Sequence, residues 1–76
     1  MNKDRRSRID AVREQLESLK AQLEELRDEE QEAFDNLPES LQESERGEAS
    51  REAADQLDTA CDSLDEVTSC LEEAVG

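Results

Sequence analysis

A heptad repeat of apolar residues runs through the first half of this chain and limits the structures it can form. From Ile9 onward, apolar side chains recur at alternating intervals of three and four residues. This spacing places them on one stripe of an α-helix, as in helices that pack as coiled coils. We predict a helix from about residue 3 to about residue 35, with Ile9, Leu16, Leu23, Glu30 and Leu37 at position a, and Val12, Leu19, Leu26 and Ala33 at position d.

Opposite charges along the same stretch support this helix. Residues three positions apart lie close together on a helix surface, where an acid and a base stabilise the helix by about 0.2–0.5 kcal/mol. The sequence offers three such pairs: Asp10 with Arg13, Glu17 with Lys20, and Glu24 with Arg27.

The second half of the chain repeats the stepping with smaller residues. Its apolar series is Ala53, Leu57, Ala60, Leu64, Val67, Leu71 and Ala74. Two further rows flank this series, with Ala54, Cys61, Thr68 and Val75 on one side and Ala49, Ser63 and Cys70 on the other. A stripe this broad is typical of a helix that faces the interior of a bundle. We predict a second helix over about residues 48–75, with more apolar surface than the first helix can cover.

The connector between the helices, at about residues 36–47, contains a proline and a glycine. Pro38 disfavours helical geometry at Leu37, so the first helix should end before it, and Pro38 can itself open a short turn through Leu41. Ser44 or Gly47 is then the start of the second helix. We therefore predict one all-α domain over residues 1–76, an antiparallel, coiled-coil-like helical hairpin that assembles with further copies into a multi-helix bundle.

The predicted core and oligomer contacts follow from these two stripes. They are Ile9, Val12, Leu16, Leu19, Leu23, Leu26, Leu57, Ala60, Leu64, Val67 and Leu71. We expect a homo-oligomer, because a second copy is the simplest cover for the broad stripe of the second helix.

Composition argues against an enzyme. Among 76 residues there is one aromatic residue and no histidine, so a pocket lined by hydrophobic and aromatic side chains is not expected. We see no nucleophile with a base, no cofactor motif and no set of metal ligands. Cys61 and Cys70, nine positions apart, are too distant for a disulfide within one helix. We expect both to be reduced, partly buried thiols, with an intermolecular bridge as the lesser alternative.

The net charge of −14 sets the expected partners. An acidic surface repels nucleic acid and anionic membranes and attracts basic protein surfaces. We expect no direct contact with nucleic acid or membrane, and since no apolar run is long enough to span a bilayer, we expect a cytoplasmic protein.

The basic residues are concentrated where a helix N-terminus disfavours them. Lys3, Arg5, Arg6 and Arg8, offset by Asp4, give the first eight residues a charge of +3. One explanation is an anion site, with Arg46 and Arg51 as a second basic patch. The other is pairing with the acidic end of the second helix, where Glu66, Glu72 and Glu73 lie.

One stretch of the chain resembles a known group of proteins. The residues DEEQEAFDNLPESLQ at 28–42, followed by SERGE at 44–48, resemble short uncharacterised acidic helical proteins carried by bacterial phages and prophages. This resemblance implies a non-enzymatic accessory protein in an infected bacterial host, one that counteracts host defence by sequestering an anionic nucleotide signal or a host protein. The alternatives are an acidic DNA mimic, or decoy, for a nucleic-acid-binding protein and a structural coiled-coil assembly module.

Overall fold

The chain folds into a hairpin of two long helices. The computed structural model describes all 76 residues as α1 (Lys3–Asp35), the short α2 (Glu39–Gln42) and α3 (Glu45–Val75). Helices α1 and α3 pack against each other along a rod of 58 × 15 × 13 Å. The radius of gyration is 17.2 Å, whereas a compact domain of this length would have about 11 Å. The predicted all-helical hairpin is confirmed.

Side-chain caps fix the start of both long helices. The Asn2 side chain accepts a hydrogen bond of 2.7 Å from the backbone N–H of Arg5, and the Ser44 hydroxyl accepts one of 3.4 Å from Gly47. Each cap satisfies a backbone donor that a helix leaves unpaired in its first turn. Ser44 is thus the N-cap of α3, which confirms the first of the two predicted starts, Ser44 and Gly47, and α3 begins a few residues before the predicted range of about 48–75.

A single helical turn, α2, occupies the connector. It follows Pro38, whose carbonyl accepts hydrogen bonds from the N–H groups of Leu41 and Gln42 at 2.8 and 3.1 Å. The Gln42 side chain then donates to the carbonyl of Leu37 at 3.2 Å and to that of Phe34 at 3.4 Å. The predicted short turn at Pro38 is confirmed, and Gln42 ties it to the end of α1.

Gly47 allows the connector to lie directly against α3. A Cβ atom at this position would stand 2.2 Å from the carbonyl oxygen of Gln42 and 2.6 Å from that of Leu41. Both neighbours are backbone atoms, which cannot swing away as the end of a side chain can. The first turn of α3 therefore requires glycine here.

The buried seam of the hairpin is narrow and consists of small residues. Gly47, Ala54 and Cys61 are the only buried residues, and they lie one heptad apart on α3. Thr68 and Val75 continue this row and are half-buried, as are Leu57, Leu64 and Leu71 beside it. The row of Ala54, Cys61, Thr68 and Val75, which was predicted to flank the apolar stripe of the second helix, is thus the centre of the contact with α1.

On α1, the face toward α3 differs from the predicted one. The a residues are half-buried as predicted, but their companions are the e residues Arg13, Lys20, Arg27 and Phe34. The predicted d residues Val12, Leu19, Leu26 and Ala33 are exposed. The prediction of an a/d seam between the two helices is therefore wrong. Long basic side chains occupy the e positions because their aliphatic stems cover the seam while their charged ends reach acids on α3.

Candidate interaction surfaces

The hairpin has two long edges, and one of them is held by ion pairs. Across this edge, Arg13 pairs with Glu72 at 3.8 Å, and Lys20 pairs with Asp65. Arg27 pairs with Asp58 at 2.9 Å. Each step of one heptad forward along α1 is matched by a step of one heptad back along α3. This ion-pair edge, made of these three pairs, therefore specifies an antiparallel register.

The ion pairs favour the charged forms of their bases. The pKa of Lys20 is raised, chiefly because its ammonium group donates a hydrogen bond to Asp65, with Glu24 adding to the effect. The pKa of Arg27 is raised above its ordinary value by hydrogen bonds to Asp58 first and Asp28 second. Both bases thus interact with two carboxylates at once, one across the hairpin and one on α1.

An aromatic contact continues the ion-pair edge toward the connector. One heptad beyond Arg27, the ring of Phe34 lies under the guanidinium of Arg51, 5.7 Å from ring centroid to Cζ. This is the range of a cation–π interaction. The fourth contact keeps the same antiparallel register but places the cation on α3.

The predicted charge pairs within α1 form only in part. Asp10 and Arg13 lie 3.6 Å apart, as predicted. Lys20, however, pairs with Glu24 at 3.4 Å and not with Glu17. Arg27 contacts Asp28 and Asp58 and not Glu24. The carboxylates of α3 draw these side chains across the seam, which the sequence of α1 alone does not reveal.

The opposite edge of the hairpin is apolar and uncovered. Its exposed residues are Val12, Leu19 and Leu26 on α1 and Val67 on α3, with exposed fractions of 47%, 50%, 50% and 44%. A groove between the helices joins Leu19, Leu26 and Val67 to Ala60 and to the seam residues Leu23 and Leu64. We call the row Val12, Leu19, Leu26, Ala60 and Val67 the apolar edge.

The apolar edge extends to the free end of the hairpin. There, Ile9, Val12 and Leu71 line a second groove, which is bordered by Arg5 and Arg8. The spacing of one heptad between Val12, Leu19 and Leu26, and between Ala60 and Val67, keeps each row on one side of its helix, with a drift of about 20° per heptad. The result is a continuous apolar face with basic residues at one end.

The chain exposes more surface than a folded monomer of its size. Its accessible surface is 5695 Å², whereas a typical monomer of 8.6 kDa exposes about 4700 Å². The excess, about 1000 Å², is close to the area of about 800 Å² that one partner contributes to a standard protein interface. No large side chain is fully buried. The two-helix rod therefore leaves large apolar side chains, such as Leu19 and Leu26, exposed to solvent.

The basic residues predicted as an anion site lie at two distant places. Lys3, Arg5, Arg6 and Arg8 are exposed at the start of α1, whereas Arg46 and Arg51 lie at the connector end of the rod. Arg51 is engaged with Phe34. Within one chain these six residues do not form one site.

The predicted pairing of the basic start with the acidic end is wrong. Glu72 pairs with Arg13, and this register leaves residues 3–8 extending beyond α3. Arg8 pairs only with Asp4, at 3.9 Å, and Lys3, Arg5 and Arg6 form no ion pair. The basic segment, Lys3–Arg8, is thus free of cross-helix partners within the chain.

The two cysteines occupy different environments. Both are free thiols, but Cys61 is buried in the seam and Cys70 is exposed. The prediction that both are partly buried is wrong for Cys70, because the contact face of α3 is centred on the row of Cys61. No group of three or more histidine, cysteine or carboxylate side chains converges as a metal site would require.

Two further observations bear on function. Neither long helix contains a stretch with the length and hydropathy needed to cross a membrane. Comparisons with protein-family models, curated proteins and solved structures find no match for this chain. The resemblance to short phage proteins therefore stays a prediction.

Proposed function

We propose that this protein acts by binding and not by catalysis, and that its apolar edge is a self-association surface. Two hairpins join through this edge to form a four-helix bundle, and the bundle is the unit that binds further partners. The main support for this proposal is the apolar edge, where Leu19, Leu26 and Val67 line a groove and are each about half exposed to water. A contiguous apolar patch of this kind is typical of a protein–protein interface.

The contrast between the two edges supports this proposal. On the ion-pair edge, the polar groups that face the seam already have partners within the chain. On the apolar edge, burial of Val and Leu side chains is incomplete, and completing it would stabilise the protein through the hydrophobic effect. A second apolar edge satisfies this requirement without leaving a charge unpaired.

Native mass spectrometry of protein purified under non-denaturing conditions tests the proposal. We expect a species of twice 8.6 kDa at micromolar concentration. A chain that remains single at all concentrations would contradict the self-association. The same spectrum reports any small molecule that the protein retains, and so also examines the sequestration of an anionic ligand.

The free basic segment favours a second candidate, which is capture of an anionic nucleotide by Lys3, Arg5, Arg6 and Arg8. Its supporting observation is that Lys3, Arg5 and Arg6 have no acidic partner within the chain. In this proposal the protein sequesters a nucleotide signal, as the phage resemblance implies. A basic host protein as partner and an acidic decoy for a nucleic-acid-binding protein stay predictions.

A thermal melt with ATP and a cyclic dinucleotide as probes tests the second candidate. A ligand that binds the folded state and not the unfolded state raises Tm. We expect a rise that is lost in the variant Arg5→Glu/Arg6→Glu and kept in the control Ser18→Asp, which adds a negative charge at an exposed position of α1 outside the basic segment. Equal nucleotide binding by the double variant would remove the basic segment from this proposal.

A further inference from the structure

We infer that the two hairpins associate with their connectors at opposite ends of the bundle. This inference rests on the proposed self-association through the apolar edge and specifies its orientation. A symmetric pair of hairpins has two arrangements that bring apolar edges together. In one, the connectors lie at the same end, and α1 packs beside α3 of the second copy. In the other, the connectors lie at opposite ends, and each helix packs antiparallel to its own equivalent.

Charge is distributed unevenly along the rod. The connector end, residues 27–58, contains 12 acidic and three basic residues and has a net charge of −9. The free end, residues 1–13 with 72–76, contains five basic and four acidic residues and has a net charge of +1. The free end includes the basic segment, whose charge is +3. Each hairpin is therefore an electric dipole along its long axis.

Because of this dipole, the two arrangements differ in electrostatic energy. With the connectors together, two regions of −9 lie side by side, and the two basic segments also meet each other. With the connectors opposed, the basic segment of each copy lies beside the acidic connector of the other. Like charges in close apposition disfavour a complex, and complementary charges favour one. The opposed arrangement also gives the basic segment the acidic partners that its own chain does not provide.

The apolar residues fix how far the opposed hairpins overlap. The rows Val12, Leu19, Leu26, Ala33 on α1 and Ala53, Ala60, Val67, Ala74 on α3 have the same heptad spacing. Their overlap is complete when the two-fold axis passes between Leu19 and Leu26. The basic segment then lies roughly 25 Å from the axis. This is the level of residues 37–42 of the second copy, close to Asp35, Glu39 and Glu43.

Distance measurements between spin labels on the two copies test the orientation. Both native thiols are first replaced, as Cys61→Ala and Cys70→Ser, and one exposed serine is then changed, as Ser7→Cys or Ser40→Cys. With opposed connectors, two labels at residue 40 lie about 50 Å apart, and so do two labels at residue 7. With connectors together, either distance falls to about half of that or less.

A mixed sample supplies the complementary measurement. When Ser7→Cys chains and Ser40→Cys chains are combined, opposed connectors bring a label at residue 7 close to one at residue 40. A short 7-to-40 distance with long 7-to-7 and 40-to-40 distances supports the inference. Short distances between equivalent labels would overturn the orientation and leave the self-association intact. The absence of any distance between copies, with a mass of 8.6 kDa, would overturn both.

Discussion

The two long edges of this hairpin use the same heptad period and behave differently. On the ion-pair edge, three basic residues of α1 contact three acidic residues of α3 at matching positions. On the apolar edge, rows with the same spacing remain about half exposed. The first edge is paired within one chain, whereas the second stays exposed to solvent in the single chain. A heptad repeat therefore does not tell by itself which of its positions face the same chain.

The edges also differ in what they contribute. Exposed ion pairs add little to stability but penalise a wrong register, so the ion-pair edge mainly aligns α1 with α3. Apolar residues contribute in proportion to the area removed from water, so in the proposed dimer the apolar edge would supply most of the free energy of association. Substitutions on the ion-pair edge should therefore change the thermal stability of the hairpin. Substitutions on the apolar edge should change the dissociation constant of the dimer.

A charge placed on the apolar edge should weaken association more strongly than any other single change weakens a measured property. We expect Leu19→Asp to raise the dissociation constant of the dimer on the order of 100-fold, since both copies lose Leu burial and each must bury a carboxylate. Sedimentation velocity over a concentration series measures this change. The control Ser18→Asp adds the same charge at an exposed neighbouring position. Equal effects of the two variants would show that Leu19 lies outside the interface.

A change at Gly47 should weaken the fold itself, and with it the alignment of both edges. In Gly47→Ala, the new methyl group would meet the carbonyls of Gln42 and Leu41. Overpacking of this kind costs about 1–3 kcal/mol of unfolding free energy. Urea unfolding followed by circular dichroism measures the loss, and Glu48→Ala on the exposed side of the same turn is the control. An unchanged unfolding midpoint for Gly47→Ala would contradict the close approach of the connector.

Reversing the charge of Lys20, and so breaking its ion pair with Asp65, should lower thermal stability without dissociating the dimer. In Lys20→Asp, two carboxylates face each other across the seam, next to Glu24, and we expect Tm to fall by a few degrees. The double variant Lys20→Asp/Asp65→Lys restores opposite charges at this level and should recover most of the loss. Failure of the second change to recover any stability would argue against the pairing of Lys20 with Asp65.

Alkaline pH should change the free energy of unfolding only slightly. Because folding raises the pKa of Lys20, its contribution is fully present below the ordinary lysine value of about 10.4. The contribution is lost as pH rises through the higher value of the folded state. Urea unfolding between about pH 9 and pH 12 should show a decline that Lys20→Met reduces. Lys3→Met, which removes the other lysine of the chain, should leave this decline unchanged.

Much of the hairpin is predictable from local sequence. The heptad step indicates α1, Pro38 ends it and opens α2, and the second stripe indicates α3. The facing sides of the helices are less predictable, because Leu19 and Leu26 at d are as apolar as Leu16 and Leu23 at a. Two signals do point to the observed face. Bases recur at e on α1, and acids recur with the same spacing at positions 58, 65 and 72 on α3.

The candidate surfaces depend on the register, which local sequence does not define. The predicted pairing of Lys3–Arg8 with Glu66, Glu72 and Glu73 requires helices that end at the same level, but the Arg13–Glu72 pair shifts the ends apart. The small residues Gly47, Ala54 and Cys61 could have indicated the closest approach of the helices, since they recur at one heptad. In the sequence, however, the leucines beside them recur at the same spacing and are the more obvious candidates for the contact face.

In the proposed dimer, a second copy covers the apolar edge. Isotope-filtered NMR on an equimolar mixture of ¹³C-labelled and unlabelled chains detects this cover without ambiguity, because only contacts between copies give filtered signals. We predict intermolecular contacts from the methyl groups of Leu19, Leu26 and Val67. Their absence, together with tumbling expected for a particle of 8.6 kDa, would contradict the claim.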